Sequence, residues 1–463
     1  MTATEKLREY FDEMTVYKDL QKTNMFSALS LPSFMRDWIL KRFEDNNGNF
    51  NADELSGFVQ KNLPNKDKWL EIKDLLINEG QRVKFLAKII CDVNIATRDI
   101  TFSLPDYGFT AKDSVIDRYI WDDCKHDLLG SRETWGVVEL GYAPPDQHDS
   151  NGGKIKLLGF KSFCPYTIDV EYYKNSRREF TTEEWIDILL GAVDYNASGY
   201  QDERQKLAML TRLLPFVEKR LNLIELAPKG TGKSYLYGRV SRFGWLSSGG
   251  VMSRAKMFYD MQKKTEGLIC GNDFIVLDEV QTIRFSDVDE MRAALKGYME
   301  SGTFTVGTYS GTSESGVVLC GNISEDKMNE YERMFDELPE VFHESALLDR
   351  FHGFIKGWDI PRMNENLKIA GWALNSEYFT SILHSLRDDA SYRNIIDCKT
   401  DVPYKSDTRD TEAIKRIATA YLKLLFPHIR QSQDIAYGGL LSLSEFDRYC
   451  LRPAKNMRGI IKY

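Results

Sequence analysis

A lysine and a serine hydroxyl follow two closely spaced glycines in Pro228-Lys229-Gly230-Thr231-Gly232-Lys233-Ser234-Tyr235, and two carboxylates stand together further on at Asp278-Glu279. Each of these residue types has work in phosphate chemistry. Backbone N–H groups of a glycine loop cradle phosphate oxygens, the lysine reaches the β- and γ-phosphates, and the serine hydroxyl binds Mg²⁺. An aspartate ending an apolar run holds the same ion through its water shell, and the glutamate beside it orients and deprotonates an attacking water. The chemistry is hydrolysis of ATP with Mg²⁺. Residues 228–235 are the expected ATP contacts, Ser234 and Asp278 the metal ligands, and Glu279 the catalytic base.

These residues need a scaffold, and the neighbouring sequence supplies one. The apolar run 221–226 predicts a buried strand, the glycines break it, and Lys233-Ser234 open a helix. Ala227 occupies the place where the usual pattern begins with glycine, and a small residue still permits the tight turn. Residues 272–279 predict a second strand ending in the two carboxylates. The 45 residues from Lys233 to Asp278 leave room for a helix and a further strand. A third strand, 317–320, ends at Gly321-Asn322, where the amide could reach the γ-phosphate and the attacking water, or else form a plain turn. Arg350 follows an apolar helix end in LLDRF. It is either a surface ion-pair residue or an arginine supplied to a neighbouring subunit's transferring phosphoryl group.

Composition describes a globular chain of 463 residues, 42% hydrophobic and 28% charged, long enough for two or three cores. The net charge of −8 repels nucleic acid overall, so a nucleic-acid surface must be a local basic patch. Seven dispersed cysteines without a CxxC pair suit reduced thiols and oppose a disulfide framework or a zinc site. A signal-peptide core and an apolar run long enough to span a membrane are both missing, so the expected location is cytoplasmic and no membrane partner is expected.

Helical spacing of Phe34, Trp38, Ile39 and Phe43, and of Trp69, Ile72, Leu75 and Leu76, predicts an N-terminal helical domain over 1–90. Short β-rich runs separated by turn signals predict a second domain over 91–170, for which a small OB-like barrel is one candidate. Lys154, Lys156 and Lys161, near Phe160 and Phe163, either touch a nucleic-acid backbone or form a solvated strand face. Arg239, Arg242, Lys263 and Lys264 are further cations that DNA could meet. Thr181-x-x-Glu184 and Ser442-x-x-Glu445 are capping boxes. Residues 175–365 are the expected ATPase core and 366–463 a helical lid. Arg458, with Arg452 as the alternative, is the lid arginine expected to reach the nucleotide.

Strand, glycine loop, carboxylate pair, Asn322, Arg350 and helical lid, in that order, resemble an AAA+ P-loop ATPase, an α/β fold. The segment MRAALKGYMESGTFTVGTYSGTSESG before VVLCGN is similar to the hairpin preceding the polar sensor strand of MCM-type helicases, and SALLDRF resembles their arginine-finger segment. The patterns VYKDL at 16–20, LPSFMRDWIL at 31–40, WGVVELGY at 135–142 and REFTTEEWID at 178–187 extend the likeness across the chain. They resemble the BrxL family, Lon-related AAA+ proteins of BREX bacteriophage-resistance systems. Two departures accompany it. No Ser-Lys protease is expected after the lid, as in shorter family members or a truncated chain. The hairpin 303–315 contains no Lys or Arg, so Phe304 and Tyr309 are its candidate DNA contacts, by stacking.

The resemblance implies a ring-forming ATPase, most often hexameric, as one ring or two joined rings. Its implied partners are double-stranded DNA and other BREX proteins. A protein remodeller lacking its protease domain and a nucleotide-switched assembly module are the alternatives.

Overall fold

The apolar run before the glycine loop becomes strand Leu223–Ala227, buried at every residue. Its neighbours in a five-stranded, wholly parallel sheet are Gly353–Lys356 on one side and Gly316–Asn322 on the other, followed by Phe274–Phe285 and Gly244–Met252. Numbered along the chain, the order across the sheet is fifth, first, fourth, third, second. Parallel strands covered on both faces are apolar, which is why the central runs Leu223–Ala227 and Gly316–Asn322 are buried almost throughout and show no alternation. The expected helix and strand between Lys233 and Asp278 are Lys233–Arg239 and Gly244–Met252. This is an α/β architecture. The computed structural model describes residues 1–20, 31–43, 51–63, 66–94, 98–128, 134–145, 152–162, 168–262, 264–328, 334–401 and 406–462.

Contacts divide the chain into two units, Phe34–Thr167 and the remainder, Met1–Ser33 with Ile168–Tyr463. The first residues thus belong with the parallel sheet and not to an N-terminal helical domain. Strand Thr15–Asp19 pairs antiparallel with Ala370–Leu374. Phe11 is fully buried among Tyr173, Phe180, Trp185 and Tyr378. Lys18 is completely buried, and its ammonium donates to Asp194 Oδ1 at 3.0 Å, to two backbone carbonyls and to Ser376 Oγ. A buried charge requires such a set of partners. Helical periodicity in 1–11 could not reveal them, because every one of these partners lies more than 160 residues away.

In the other unit, helices Ala52–Asn62 and Trp69–Ile77 precede a sheet that opens with Val83–Val93, so the expected break at residue 90 falls inside a strand. The sheet order is Ile100–Ser103, Val83–Val93, Thr134–Ala143, Lys154–Ser162, Ser114–Ile116. All pairs are antiparallel except the last. The two end strands meet where Phe102 N–H donates to Ser114 Oγ at 2.7 Å. Helix Arg118–Leu128 connects the third strand in the chain to the fourth.

The last hundred residues are mainly helical: Ser376–Leu386, Ser391–Lys399, Thr408–Leu425 and Arg452–Ile461. Both expected capping boxes form, at Thr181 and at Ser442.

Candidate nucleotide-binding site

Gly230 and Gly232 carry the loop through left-handed backbone, φ +82° and +81°, which residues with a Cβ adopt only under strain. A Cβ on Gly232 would also lie 2.6 Å from Tyr195 Oη. The loop lies at the carboxyl end of strand Leu223–Ala227, the end at which open α/β sheets bind ligands. Lys233 begins the helix with its side chain largely buried. Ser234 Oγ donates to Asp278 Oδ2 at 2.6 Å, bringing together the two expected metal ligands from separate elements. A hydroxyl and a carboxylate side by side are the hard oxygen donors Mg²⁺ takes, so the donor set fits the ion.

Glu279 sits at φ +48° in a strand irregularity between Asp278 and Ile283. This left-handed backbone costs a non-glycine residue about 1–3 kcal/mol. Two hydrogen bonds hold it there, Glu279 N–H to Asp278 Oδ1 and Thr282 Oγ1 to Glu279 O, both 2.9 Å. The strain turns an exposed carboxylate out beside the buried Asp278. Asn322 ends its strand in register with Ala227, the residue before the loop. Gln281 fixes it from the carboxylate strand, its amide donating to Asn322 O and accepting from Asn322 N–H.

Sequence reasoning missed the ion pair beneath the loop. Arg212 and Glu225 are both wholly buried, with Arg212 Nε 3.1 Å from each carboxylate oxygen. The same guanidinium donates to Thr231 O at 2.7 Å and Thr231 Oγ1 at 3.1 Å, and so ties the loop to the strand. Burial alone would lower the Arg212 pKa, but Glu225 outweighs it and holds the guanidinium above its ordinary value. The available signal was Glu225 itself, a carboxylate inside LIELA that needs a buried partner.

Tyr235 was expected at the nucleotide. Its hydroxyl donates to Asp194 Oδ2 at 2.6 Å, and Ser33 Oγ donates to the same oxygen. It therefore anchors the loop helix to the N-terminal segment. The exposed face of its ring remains open to solvent.

Arg458 is not near the loop. It is buried and donates to Asp410 Oδ1, Asp349 Oδ1 and the carbonyls of Asp349 and Phe351. These flank Gly353, which pairs with Leu223 at the opposite end of the sheet. Two carboxylates there outcompete a role at the loop. Arg350 lies at the same end, 3.1 Å from Glu300 and donating to Ala346 O. The start of the last helix faces the other way. Arg448 donates to Glu203 Oε1, while neighbouring Arg204 reaches Asp359, in the turn packed on Ala227. Arg452 is exposed near that end, paired with Asp447 at 2.7 Å.

The hairpin expected after YMESG forms from Thr303–Val306 and Tyr309–Thr312. Its aromatic rings are already engaged, contrary to a role in stacking on DNA. Phe304 is buried against Phe258 and Tyr298. Tyr309 stacks on Tyr259 at 3.7 Å, its hydroxyl on Glu266. A hairpin this short has no core of its own and packs its aromatics onto the neighbouring segment. Arg242 is likewise committed, 2.8 Å from the buried Glu377.

In Lys154–Ser162 a bulge at Leu158, between the pairs Glu139–Gly159 and Leu140–Leu157, shifts the alternation. It brings Lys161 onto the face of Lys154 and Lys156, opposite the buried Ile155 and Leu157. Lys156 pairs with Asp117. Phe163 and Lys263 lie outside the described residues.

A family model described as "Lon-like protease BrxL-like, ATPase domain" matches residues 155–463. The chain belongs to this family. A second model, "BREX system Lon protease-like protein BrxL N-terminal", matches residues 9–142. Among relatives, the Lon-like protease BrxL of Escherichia coli O9:H4 (strain HS) is 28% identical over 468 residues, covering 98% of this chain and 63% of its own length. The Lon-like protease BrxL of Bacillus cereus (strain H3081.97) is 27% identical over 433 residues, covering 91% and 62%. This member of the BrxL family thus spans less than two thirds of the length of both relatives. No helix among the described residues is long and apolar enough to cross a membrane.

Proposed function

We propose that this BrxL-family chain is the ATP-hydrolysing subunit of a closed AAA+ ring that binds duplex DNA in BREX phage defence. One arrangement carries the reading: Lys233, Ser234, Asp278, Glu279 and Asn322 gather at one end of the parallel sheet while Arg350 stands at the other. An arginine that cannot reach its own loop fits a site completed by a neighbouring copy, and head-to-tail repetition of that contact closes a ring, a hexamer in most such proteins.

The residues divide the work. The loop N–H groups and Lys233 hold the phosphates, Glu279 takes the proton of the attacking water, and Asn322 orients that water toward the γ-phosphate. Ser234 and Asp278 would hold Mg²⁺, which would supply positive charge against the phosphates. The helices of 366–463 act as the lid, with Arg452 better placed than Arg458 for the nucleotide end. Arg350→Ala should abolish turnover yet leave ATP affinity nearly unchanged. Mixing it with Lys233→Ala should restore part of the activity, since each variant supplies what its neighbour lacks. A mixture that never recovers would place the site within one subunit.

For the Phe34–Thr167 unit, strand order and the helix after the third strand support an OB-like barrel, a fold that binds oligonucleotides. Lys161 also lines a groove of about 410 Å³ with Trp38, Phe58, Phe160, Arg42 and Lys84. Aromatic faces among cations suit nucleic acid. Lys154→Glu with Lys161→Glu should weaken binding of a short labelled duplex and flatten its salt dependence, measured by anisotropy at several salt concentrations. Unaltered binding would move the contact to the ATPase ring, and none at low salt would favour a protein remodeller.

A further inference from the structure

In the Phe34–Thr167 unit, strand register defines the floor of the groove of about 410 Å³. Val137 pairs with Leu86 on one side and with Lys161 on the other. Two residues along the same strand, Glu139 pairs with Lys84 and with Gly159. Directly paired residues place their side chains on one face of a sheet. These two rows therefore form one surface, apolar at Leu86 and Val137 and without a side chain at Gly159. It lies opposite the face that carries Phe85 and Val138 into the core of the unit. Trp38 and Phe58 bring aromatic rings to the groove from helices Ser33–Phe43 and Ala52–Asn62.

Charge around the groove is unbalanced. Lys84 is paired with Glu139 at 2.7 Å. Arg42 and Lys161, both exposed, have no carboxylate partner among the described residues. Arg42 instead lies over Trp38 and Phe58, 5.9 and 5.2 Å from the ring centroids. An exposed cation–π contact is weak, so the guanidinium can turn to a phosphate. The basic face continues along the strand from Lys161 to Lys154, roughly 20 Å away at the usual rise per residue.

Phosphate contacts alone give no use to an apolar floor and two rings. A base uses them through its face, and in a duplex both faces of each base are covered by stacked neighbours. Filling the groove from an intact duplex requires extruding a base, which costs about as much as stacking it on protein returns. A base that is already unpaired avoids most of that cost.

We propose that this groove seats one unpaired nucleobase. Trp38 and Phe58 stack it over the Leu86–Val137 floor, while Arg42 and Lys161 hold the adjoining phosphates. The inference rests on the DNA reading of this unit and narrows it, since the unit then selects DNA with an unpaired base over an intact duplex. A peptide segment is the competing occupant, but two unmatched cations at the end of a basic strand favour a polyanion.

The test is fluorescence anisotropy of the full chain with three labelled probes of one sequence. They are an intact duplex, the same duplex with one bulged adenine, and that duplex with an abasic residue in the bulge. The bulged adenine should raise affinity about 5–150-fold over both others, the range for stacking one base on an aromatic ring. Trp38→Leu should bring the bulged adenine down to the level of the abasic bulge at an unchanged salt slope. Misfolding would instead weaken all three probes alike, and Phe58→Leu carries the same test if the first variant folds poorly. Lys161→Gln should weaken all three and lower the salt slope by about one. Equal binding of the three probes by the parent chain overturns the base site, while its salt dependence keeps the DNA reading. A preference for the bulged adenine that survives in both leucine variants places the base elsewhere and also overturns the proposal. If no probe binds at low salt, the DNA reading itself falls and the groove is left to a peptide.

Discussion

Glu279→Gln is expected to bind ATP as the parent chain does and to hydrolyse it at least about 100-fold more slowly. The amide keeps the shape and polarity of the side chain but cannot accept the proton of the attacking water. The backbone strain at φ +48° belongs to the irregularity between Asp278 and Ile283, and the substitution leaves it in place. Ser234 and Asp278, the proposed metal ligands, remain 2.6 Å apart, so binding and hydrolysis should separate. Lys233→Ala, in contrast, removes the cation proposed to meet the β- and γ-phosphates and should abolish binding itself. Nucleotide binding by fluorescence, paired with steady-state phosphate release, measures both. Undiminished phosphate release by Glu279→Gln would sink the assignment of the base.

Arg212→Ala should cost about 3–5 kcal/mol of stability, the penalty for leaving a buried carboxylate without its partner. Glu225 has no route to solvent, and Thr231 would lose the guanidinium that spans from loop to strand. Denaturant unfolding of the variant measures the loss, and a change below about 1 kcal/mol would show that the pair does not support the loop. Arg212→Leu combined with Glu225→Leu separates the two consequences. Replacing both charges with apolar groups should recover most of the stability. ATP affinity should stay low, because Thr231 still lacks its donor.

The parts legible in the sequence were those in which a motif and its element are contiguous. The glycines, Lys233 and Ser234 specify a strand–loop–helix through their own backbone preferences, and the apolar run before Asp278 specifies the next strand. Ser442 and Glu445 lie three residues apart and close their own capping box. Residues whose role depends on distant partners were not legible. Arg458 reads as a nucleotide contact until Asp349 and Asp410 are seen around it. Phe304 and Tyr309 read as free rings until the turn carrying Phe258 and Tyr259 folds against them. The Leu158 bulge reverses the side that Lys161 faces, and no alternation rule reveals a bulge in advance.

Strand Thr15–Asp19 meets Ala370–Leu374 across roughly 350 intervening residues. On a ribosome adding about 5–20 residues per second, its partner emerges roughly 20–70 s after it does. The strand therefore waits, exposed and unpaired, through most of the chain's synthesis. Lys18 and Asp194 can meet much sooner than the strand can pair, because Asp194 is made about halfway through. The equilibrium penalty for so long a closure is modest, since each doubling of loop length adds only about 0.6 kcal/mol. The delay is the larger effect, and a nascent chain stalled before Ala370 would present a bare strand edge to whatever lies near the ribosome exit.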